Sequence, residues 1–212
     1  LALHLKQLNI FKDGSLMLSL DATVNKGEVL SVMGPSGSGK STLLQAIAGH
    51  LATPFSMTGK ILIDNQSIDD KPPHLRGIGI MFQDALLFEH MTVEQNIIFA
   101  MPKTKRYSVS KKRESVSNML EAVGLEGMQN RAVTTLSGGQ QARISLLRSL
   151  AAESRAVLLD EPFSKLDTAL RDQIRTWTLE QLRCRGIPAL LVTHDSDDAV
   201  AAGGQTFELL PC

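Results

Sequence analysis

The apolar run Val29–Met33 stops at Gly34-Pro35-Ser36-Gly37-Ser38-Gly39-Lys40-Ser41, and a helix-patterned segment, Thr42 to Leu51, follows at once. A strand, a glycine loop and a helix in that order leave few folds open, because the loop must curl tightly between two buried elements. Its glycines admit backbone angles closed to other residues, and they turn successive N–H groups inward, where these can bind phosphate oxygens. The helix that starts at Thr42 adds its positive N-terminal end. Lys40 has the reach to contact β- and γ-phosphates, and the Ser41 hydroxyl can ligate Mg²⁺. The segment Gly34 to Thr42 therefore implies a nucleoside triphosphate, with Mg²⁺ beside it.

Three further apolar runs share the design of the first. Ile78–Phe82 ends at Gln83, Ala156–Leu159 ends at Asp160 and Glu161, and Ala189–Thr193 ends at His194. Short runs of this kind suit strands buried on both faces of a parallel sheet. Ligands of such sheets sit beyond the carboxyl ends of the strands, so these four endings point to one site. Ahead of them, the alternating leucines Leu1, Leu3 and Leu5, then Leu8 and Ile10, lead into a Lys12-Asp13-Gly14 turn and a second alternating stretch, Leu16, Leu18 and Leu20. That reads as a hairpin. Between Asp84 and about Ser149 the texture becomes helical, with candidate helices at Glu94–Ala100, Ser110–Val123 and Gln140–Ala152. The expected fold is α/β: a P-loop NTPase core with a mostly parallel sheet, an N-terminal antiparallel β region and a helical subdomain. One domain is expected over residues 1–212, its core at about 1–83 and 151–212 and its helical subdomain at about 84–150.

Charge and composition narrow the partners. Twenty-two basic residues balance 22 acidic ones, which disfavours a protein held on nucleic acid by bulk charge, so no nucleic-acid partner is expected. No apolar run is long enough to span a membrane, and no export signal is legible at the N-terminus. Cys184 and Cys212 form no disulfide framework or metal spacing, so a reduced compartment is expected. Met81, Met91, Met101, Met119 and Met128 cluster in or beside the helical region, either as core filling or as a docking face. Lys103 to Arg113 carries six basic residues, either a solvated face or a contact for lipid phosphates.

Two more motifs carry chemistry. Asp160, at a strand end, is a candidate ligand for Mg²⁺, and Glu161 on an extended backbone would point the other way, free to orient or deprotonate water. Leu136-Ser137-Gly138-Gly139-Gln140 places a helix cap before two glycines whose N–H groups stay bare, a second anion site. The helix after it sets Ile144, Leu147 and Ala151 on one face.

The glycine loop, Gln83, Leu136 to Gln140, Asp160-Glu161, Leu166-Asp167 and His194 stand in the order found in ABC-transporter ATPases, which the chain resembles over essentially its whole length. The wording Arg76–Gln83 and Leu87–Val93 is similar to ATP-binding subunits of bacterial importers, above all the short YnjD-type subunits related to those serving thiamine, iron and polyamine uptake. The resemblance implies a homodimer that sandwiches two ATP molecules, the glycine loop of one copy facing Ser137, Gly138, Gly139 and Gln140 of the other. It implies Glu161 as catalytic base, His194 on the γ-phosphate and water, and Gln83 on Mg²⁺ or the attacking water. Asp167 would lie in the loop joining the two sites. Phe11, by its distance ahead of Gly34 alone, falls where the family stacks an aromatic on adenine; core packing is the alternative for it. Separate transmembrane permease subunits, an external solute-binding protein and a peripheral place on the cytoplasmic face of the inner membrane complete the implied setting.

The chain departs from the family at Lys165, where a small residue is usual, at Ala142, where glutamine is commoner, and at Gly203-Gly204, where a charged pair is frequent. No regulatory domain is expected after His194. An export subunit, a soluble ABC ATPase and a non-hydrolytic regulatory module are the rival readings. The short, heptad-free stretch between Ser41 and Ser137 argues against the coiled-coil chromosome ATPases. Intact Lys40, Asp160, Glu161 and His194 argue against a non-hydrolytic module.

Overall fold

The alternation of the first leucines changes phase between Leu5 and Leu8, and the computed structural model, which describes residues 1–103 and 108–209, shows why. Strands β1 (Leu3–Lys12) and β2 (Ser15–Val24) pair antiparallel with a register break between Leu5 and Leu8. Gln7 takes a left-handed φ of 46° in that bulge, and Leu3, Leu5, Leu8 and Ile10 all reach the core at 0% exposure. Gly59 on the neighbouring strand makes the bulge possible, since any Cβ there would run into the Gln7 carbonyl.

From the hairpin the chain runs through β3 (Val29–Met33) into helix α1 (Lys40–Ala48), then β4 (Phe55–Ile63), the two-residue β5 (Gln66–Ser67) and β6 (Ile78–Met81). Helices α2 (Val93–Ala100), α3 (Val109–Ala122) and α4 (Gly138–Ala151) follow. The chain then passes through β7 (Ala156–Asp160), α5 (Thr168–Arg185), β8 (Ala189–Val192), α6 (Ser196–Ala202) and β9 (Thr206–Glu208). Two compact units result. One comprises Leu1–Ile80, Ser154–Glu161 and the described chain from Leu179; the other comprises Met81–Glu153 and Pro162–Thr178.

The first unit holds both sheets. An antiparallel sheet runs β2-β1-β4-β5, and a second runs β6-β7-β8-β3-β9, in which β7, β8, β3 and β9 pair in parallel. One apolar core joins them, with Leu5, Ile10, Leu43, Ile47, Ile61, Leu158 and Leu190 among its members. Register then decides the chemistry. Val32 pairs with Val192 and Asp160 pairs with Val192, so the chain leaves β3, β7 and β8 at one edge of the sheet. Gly34, Glu161 and His194 emerge there together.

Helix α1 begins two residues earlier than the apolar pattern suggests and closes at Gly49, whose φ of 85° stops it before Leu51. A buried arginine completes its carboxyl end: Arg76 donates to the carbonyls of Ala46, Ile47, Lys71 and Asp69. Burial pushes its guanidinium pKa down.

In the second unit, α2 opens with a reciprocal cap between Thr92 and Gln95. Asn96, fully buried, accepts from the Phe88 N–H and donates to the carbonyls of Phe88, Met91 and Thr92. Helix α4 buries Ile144, Leu147 and Ala151 as expected, and Ala142, Leu146 and Leu150 as well, so it is enclosed on more than that one face. Met81, Met101 and Met119 are buried and fill core, whereas Met91 and Met128 are half-buried. Of the basic run, Lys103, Lys111 and Arg113 are exposed, and Lys105 and Arg106 lie outside the described residues, as does Cys212.

Candidate nucleotide site

The glycine loop is built to present donors. Gly37 and Gly39 take φ of 84° and 92°, the left-handed values that wind the chain around a concavity. Helix α1 starts at Lys40 with Gly39 as its cap residue and no side-chain capping bond, so its first N–H groups face the loop uncapped. The Ser38 hydroxyl is buried there without a hydrogen-bond partner. Lys40, only 8% exposed, donates to the carbonyls of Gly34 at 2.7 Å and Pro35 at 2.8 Å. An ammonium folded onto its own loop, uncapped N–H groups and an unsatisfied hydroxyl form a donor set that fits a polyphosphate.

Ser41 Oγ donates to Asp160 Oδ2 at 2.8 Å. Asp160 is 6% exposed, and burial raises its pKa above the ordinary carboxylate range; the Ser41 bond and the charge of Lys40 oppose that rise, and Glu161 adds to it. A hydroxyl and one buried carboxylate beside a phosphate-binding loop suit Mg²⁺, which completes its shell with water and phosphate oxygens.

Glu161 departs from the expected extended backbone. The strand ends at Asp160, and Glu161 has a left-handed φ of 47° while its N–H donates to the Val192 carbonyl at 2.9 Å. The turn carries its side chain to His194, with Glu161 Oε1 3.2 Å from His194 Nδ1. Glu161 is 17% exposed and His194 64%, so the pair lies towards the surface rather than in the core. Below His194, the Thr193 hydroxyl donates to the buried Asp198 at 2.9 Å and accepts from the Asp195 N–H at 3.0 Å. Sequence reading missed that bracket, because Asp198 looks like one more acidic residue at a helix start.

Phe11 lies at the end of β1, half-buried and outside the core cluster, opposite Leu16 and Ser56. His50 and His74 are exposed.

In the second unit, Ser137 caps α4 through Gln140: its hydroxyl accepts from the Gln140 N–H, and Gln140 Oε1 accepts from the Ser137 N–H at 3.0 Å. The Gln140 side chain is thus engaged in the cap. A Cβ on Gly138 would meet nothing within 4 Å, so that face of the helix start is open. Gln83 follows β6, and its carbonyl accepts from Lys165 Nζ at 2.9 Å. Asp167 is exposed at the start of α5, where its carbonyl accepts from the Leu170 and Arg171 N–H groups.

A parallel sheet that delivers a glycine loop, a buried aspartate and a glutamate–histidine pair to one edge defines the class of P-loop nucleotide-hydrolysing proteins. The ABC transporter family profile matches residues 17–164, and the chain belongs to that family. It is an ABC-type ATPase and binds ATP. It is 47% identical over 189 residues to the uncharacterized ABC transporter ATP-binding protein YnjD of Escherichia coli, a match covering 89% of this chain and 86% of that protein. It is 42% identical to the sulfate/thiosulfate import ATP-binding protein CysA of Mycobacterium tuberculosis, over 85% of this chain and 50% of the relative. It is 39% identical to the putrescine transport ATP-binding protein PotG of E. coli, over 96% of this chain and 53% of the relative. The chain thus spans about half the length of those two transport proteins. Among solved structures, a dimeric post-hydrolysis state of the ATP-binding cassette MJ0796 bound to ADP and Pi matches with a TM-score of 0.80 at 30% identity, covering 98% of this chain and 94% of that one. Among the described residues, no helix is long and apolar enough to cross a membrane.

Proposed function

We propose that the chain is the ATP-hydrolysing subunit of a solute importer, working as a dimer on separate transmembrane permease subunits at the cytoplasmic face of the inner membrane. The observation that carries the chemical part is the Ser41–Asp160 bond beside the folded Lys40 ammonium. What supports import is that CysA and the Fe(3+) ions import protein FbpC of Streptomyces avermitilis are named for import; PotG is named for putrescine transport. An external solute-binding protein belongs to the same reading. The MJ0796 cassette is described as a dimer, which supports pairing of two copies around nucleotide.

The reaction is ATP + H₂O → ADP + phosphate. Lys40 exchanges the Gly34 and Pro35 carbonyls for β- and γ-phosphate oxygens, while Gly34 to Ser38 cradle the phosphates through their backbone and Gly39, Lys40, Ser41 and Thr42 offer the N–H groups of the helix start. Ser41 and Asp160 would hold Mg²⁺, with Gln83 on the ion or the attacking water, and the bound ion would supply positive charge against the phosphates. Glu161 accepts a proton from that water, and His194, 3.2 Å away, fixes the carboxylate's orientation and reaches the γ-phosphate. Ser137, Gly138, Gly139 and Gln140 of the second copy close over the nucleotide, and Phe11 stacks on its base.

The test is capture of the tagged chain from native membranes in mild detergent, with partners identified by mass spectrometry. Co-purification of a multi-span membrane protein at stoichiometric yield supports the reading, and an accompanying external binding protein fixes the direction as import. Purely soluble partners, ribosomal or DNA-bound, would sink the transport assignment.

A further inference from the structure

The loop that follows β6 is held by two cations. Arg148 donates to the carbonyls of Ala85 at 3.0 Å and Leu86 at 2.9 Å, and its guanidinium lies 5.6 Å from the centroid of the Phe88 ring. Lys165 holds the loop's beginning: its ammonium donates to the Gln83 carbonyl at 2.9 Å and to Asp84 Oδ1 at 3.1 Å. Residues Asp84 to Leu87 also line a cavity of about 510 Å³, so side chains do not pack the loop from that side. These donors hold its first half, and Asn96 holds it further on at Phe88 and Met91.

Lys165 touches more than the loop. Its carbonyl lies 2.9 Å from where a Cβ on Gly139 would stand, against the first turn of α4 beside Ser137. In the chain it follows Glu161 by four residues. A small side chain, which the resemblance leads one to expect here, has no group that could reach Gln83.

We propose that Lys165 is a positioning residue for ATP hydrolysis, fixing through the Gln83 carbonyl the peptide from which the Gln83 side chain reaches the reaction. This rests on the role proposed above for Gln83. A donor on that carbonyl limits rotation about the adjoining backbone bonds, so the side chain starts from one direction instead of many. The bond to a backbone oxygen is charge-assisted. The arm to Asp84 is weaker, since that carboxylate is 85% exposed and screened by salt.

The experiment is steady-state hydrolysis of MgATP by the purified full chain, comparing wild type with K165A, K165R, D84A and the K165A/D84A double variant. K165A is expected to lower kcat about fivefold, equivalent to about 1 kcal/mol, with KM for ATP within about twofold. K165R, which keeps a donor of similar reach, should recover at least half of the loss. D84A should lose less than K165A, and the double variant should be no slower than K165A, because both act through one ammonium. Thermal unfolding midpoints should stay within about 2 °C of wild type. An unchanged kcat in K165A overturns the proposal. So does a K165R variant as slow as K165A, a change confined to KM, or additive losses in the double variant. E161Q run in parallel separates the two readings: if it hydrolyses at the wild-type rate, or if wild type does not hydrolyse ATP, the proposed roles of the site fail and the Lys165 inference with them. If E161Q is inactive and K165A is not impaired, only Lys165 is misassigned.

Discussion

Ser41 and Asp160, 119 positions apart in the chain, meet at 2.8 Å through hydroxyl and carboxylate. The contact joins the first turn of α1 to the end of β7 and places a hydroxyl and a carboxylate side by side in front of the glycine loop. It also keeps a carboxylate buried at 6% exposure, where desolvation raises its pKa.

That burial has a sign. A folded-state pKa above the unfolded value means that folding disfavours the charged form, so stability falls as pH rises from the ordinary carboxylate value through the raised one. Below that window both states are protonated and the penalty vanishes; above it the penalty is fully present. D160N removes the charge and keeps an acceptor for Ser41. In nucleotide-free protein it should raise the thermal midpoint on the order of 2 °C at pH 8, with the gain shrinking as pH is lowered towards 4. The same variant should lose the extra stabilisation that Mg²⁺ adds to ATP. Differential scanning fluorimetry over that pH range, with and without MgATP, checks both. A midpoint gain that grows on acidification would contradict the cause given for the raised pKa.

Glu161→Gln should bind ATP with affinity close to wild type and slow turnover by about 10²–10⁴, the range for loss of a general base. The exchange is nearly isosteric, and the remaining side-chain oxygen can still face His194, which Glu161 approaches at 3.2 Å from a left-handed backbone. Phosphate release and equilibrium nucleotide binding measured on one preparation separate the two effects. A rate within about threefold of wild type would remove Glu161 from the base role.

Where function depends on backbone winding or a strand end, the sequence was readable. The glycine loop, the short apolar strands and the Ser137 cap each announce themselves locally, because glycine, short apolar runs and capping residues act over a few positions. Strand β9 was not legible: its three residues, Thr206, Phe207 and Glu208, have no apolar run, and they form a strand only because β3 offers an open edge. Strand β4 hides behind Gly59 and Lys60, which interrupt its alternation at the very place the β1 bulge requires glycine. The turn at Glu161 was misread as extended for a related reason. Nothing in Asp-Glu-Pro signals a positive φ, which is set by the bond from its N–H to Val192 in a strand 31 residues away. Contacts such as Asp198 with Thr193, or Arg148 with the loop after β6, need tertiary structure to be seen at all.

Ser137→Arg should abolish hydrolysis while leaving the ATP affinity of the isolated monomer within about twofold of wild type, because Ser137 is proposed to serve the other copy's nucleotide. The replaced hydroxyl is also the cap of α4, accepting from the Gln140 N–H, so a stability loss of about 1 kcal/mol should accompany it. Ser137→Asp, which keeps a capping oxygen, should restore the stability but not the hydrolysis. Equilibrium titration with fluorescent ATP at concentrations that keep the protein monomeric decides the matter. Lost affinity there would put Ser137 in its own copy's site.

The most severe structural substitution should fall outside the site, at Arg76. Arg76, 5% exposed, donates to four carbonyl oxygens, two of them at the carboxyl end of α1: Ile47, and Ala46, which also accepts from the Gly49 N–H. A helix carboxyl end also favours a cation. Arg76→Ala removes the guanidinium donors from all four oxygens, leaving Ala46 only its bond from Gly49, and opens a void against Gly49, where the guanidinium now packs. The expected cost is about 3 kcal/mol, or about 6–12 °C in thermal midpoint for a chain of this size. Lys at this position keeps the charge but loses the planar fork that reaches both α1 and the segment from Asp69 to Lys71, so Arg76→Lys should recover less than half. Because α1 begins at the glycine loop, the folded fraction of either variant should still bind ATP. Saturating MgATP should therefore raise the midpoint of Arg76→Ala by as much as it raises that of wild type, by mass action on the native state. A midpoint that ATP fails to move would mean that the far end of α1 shapes the loop itself.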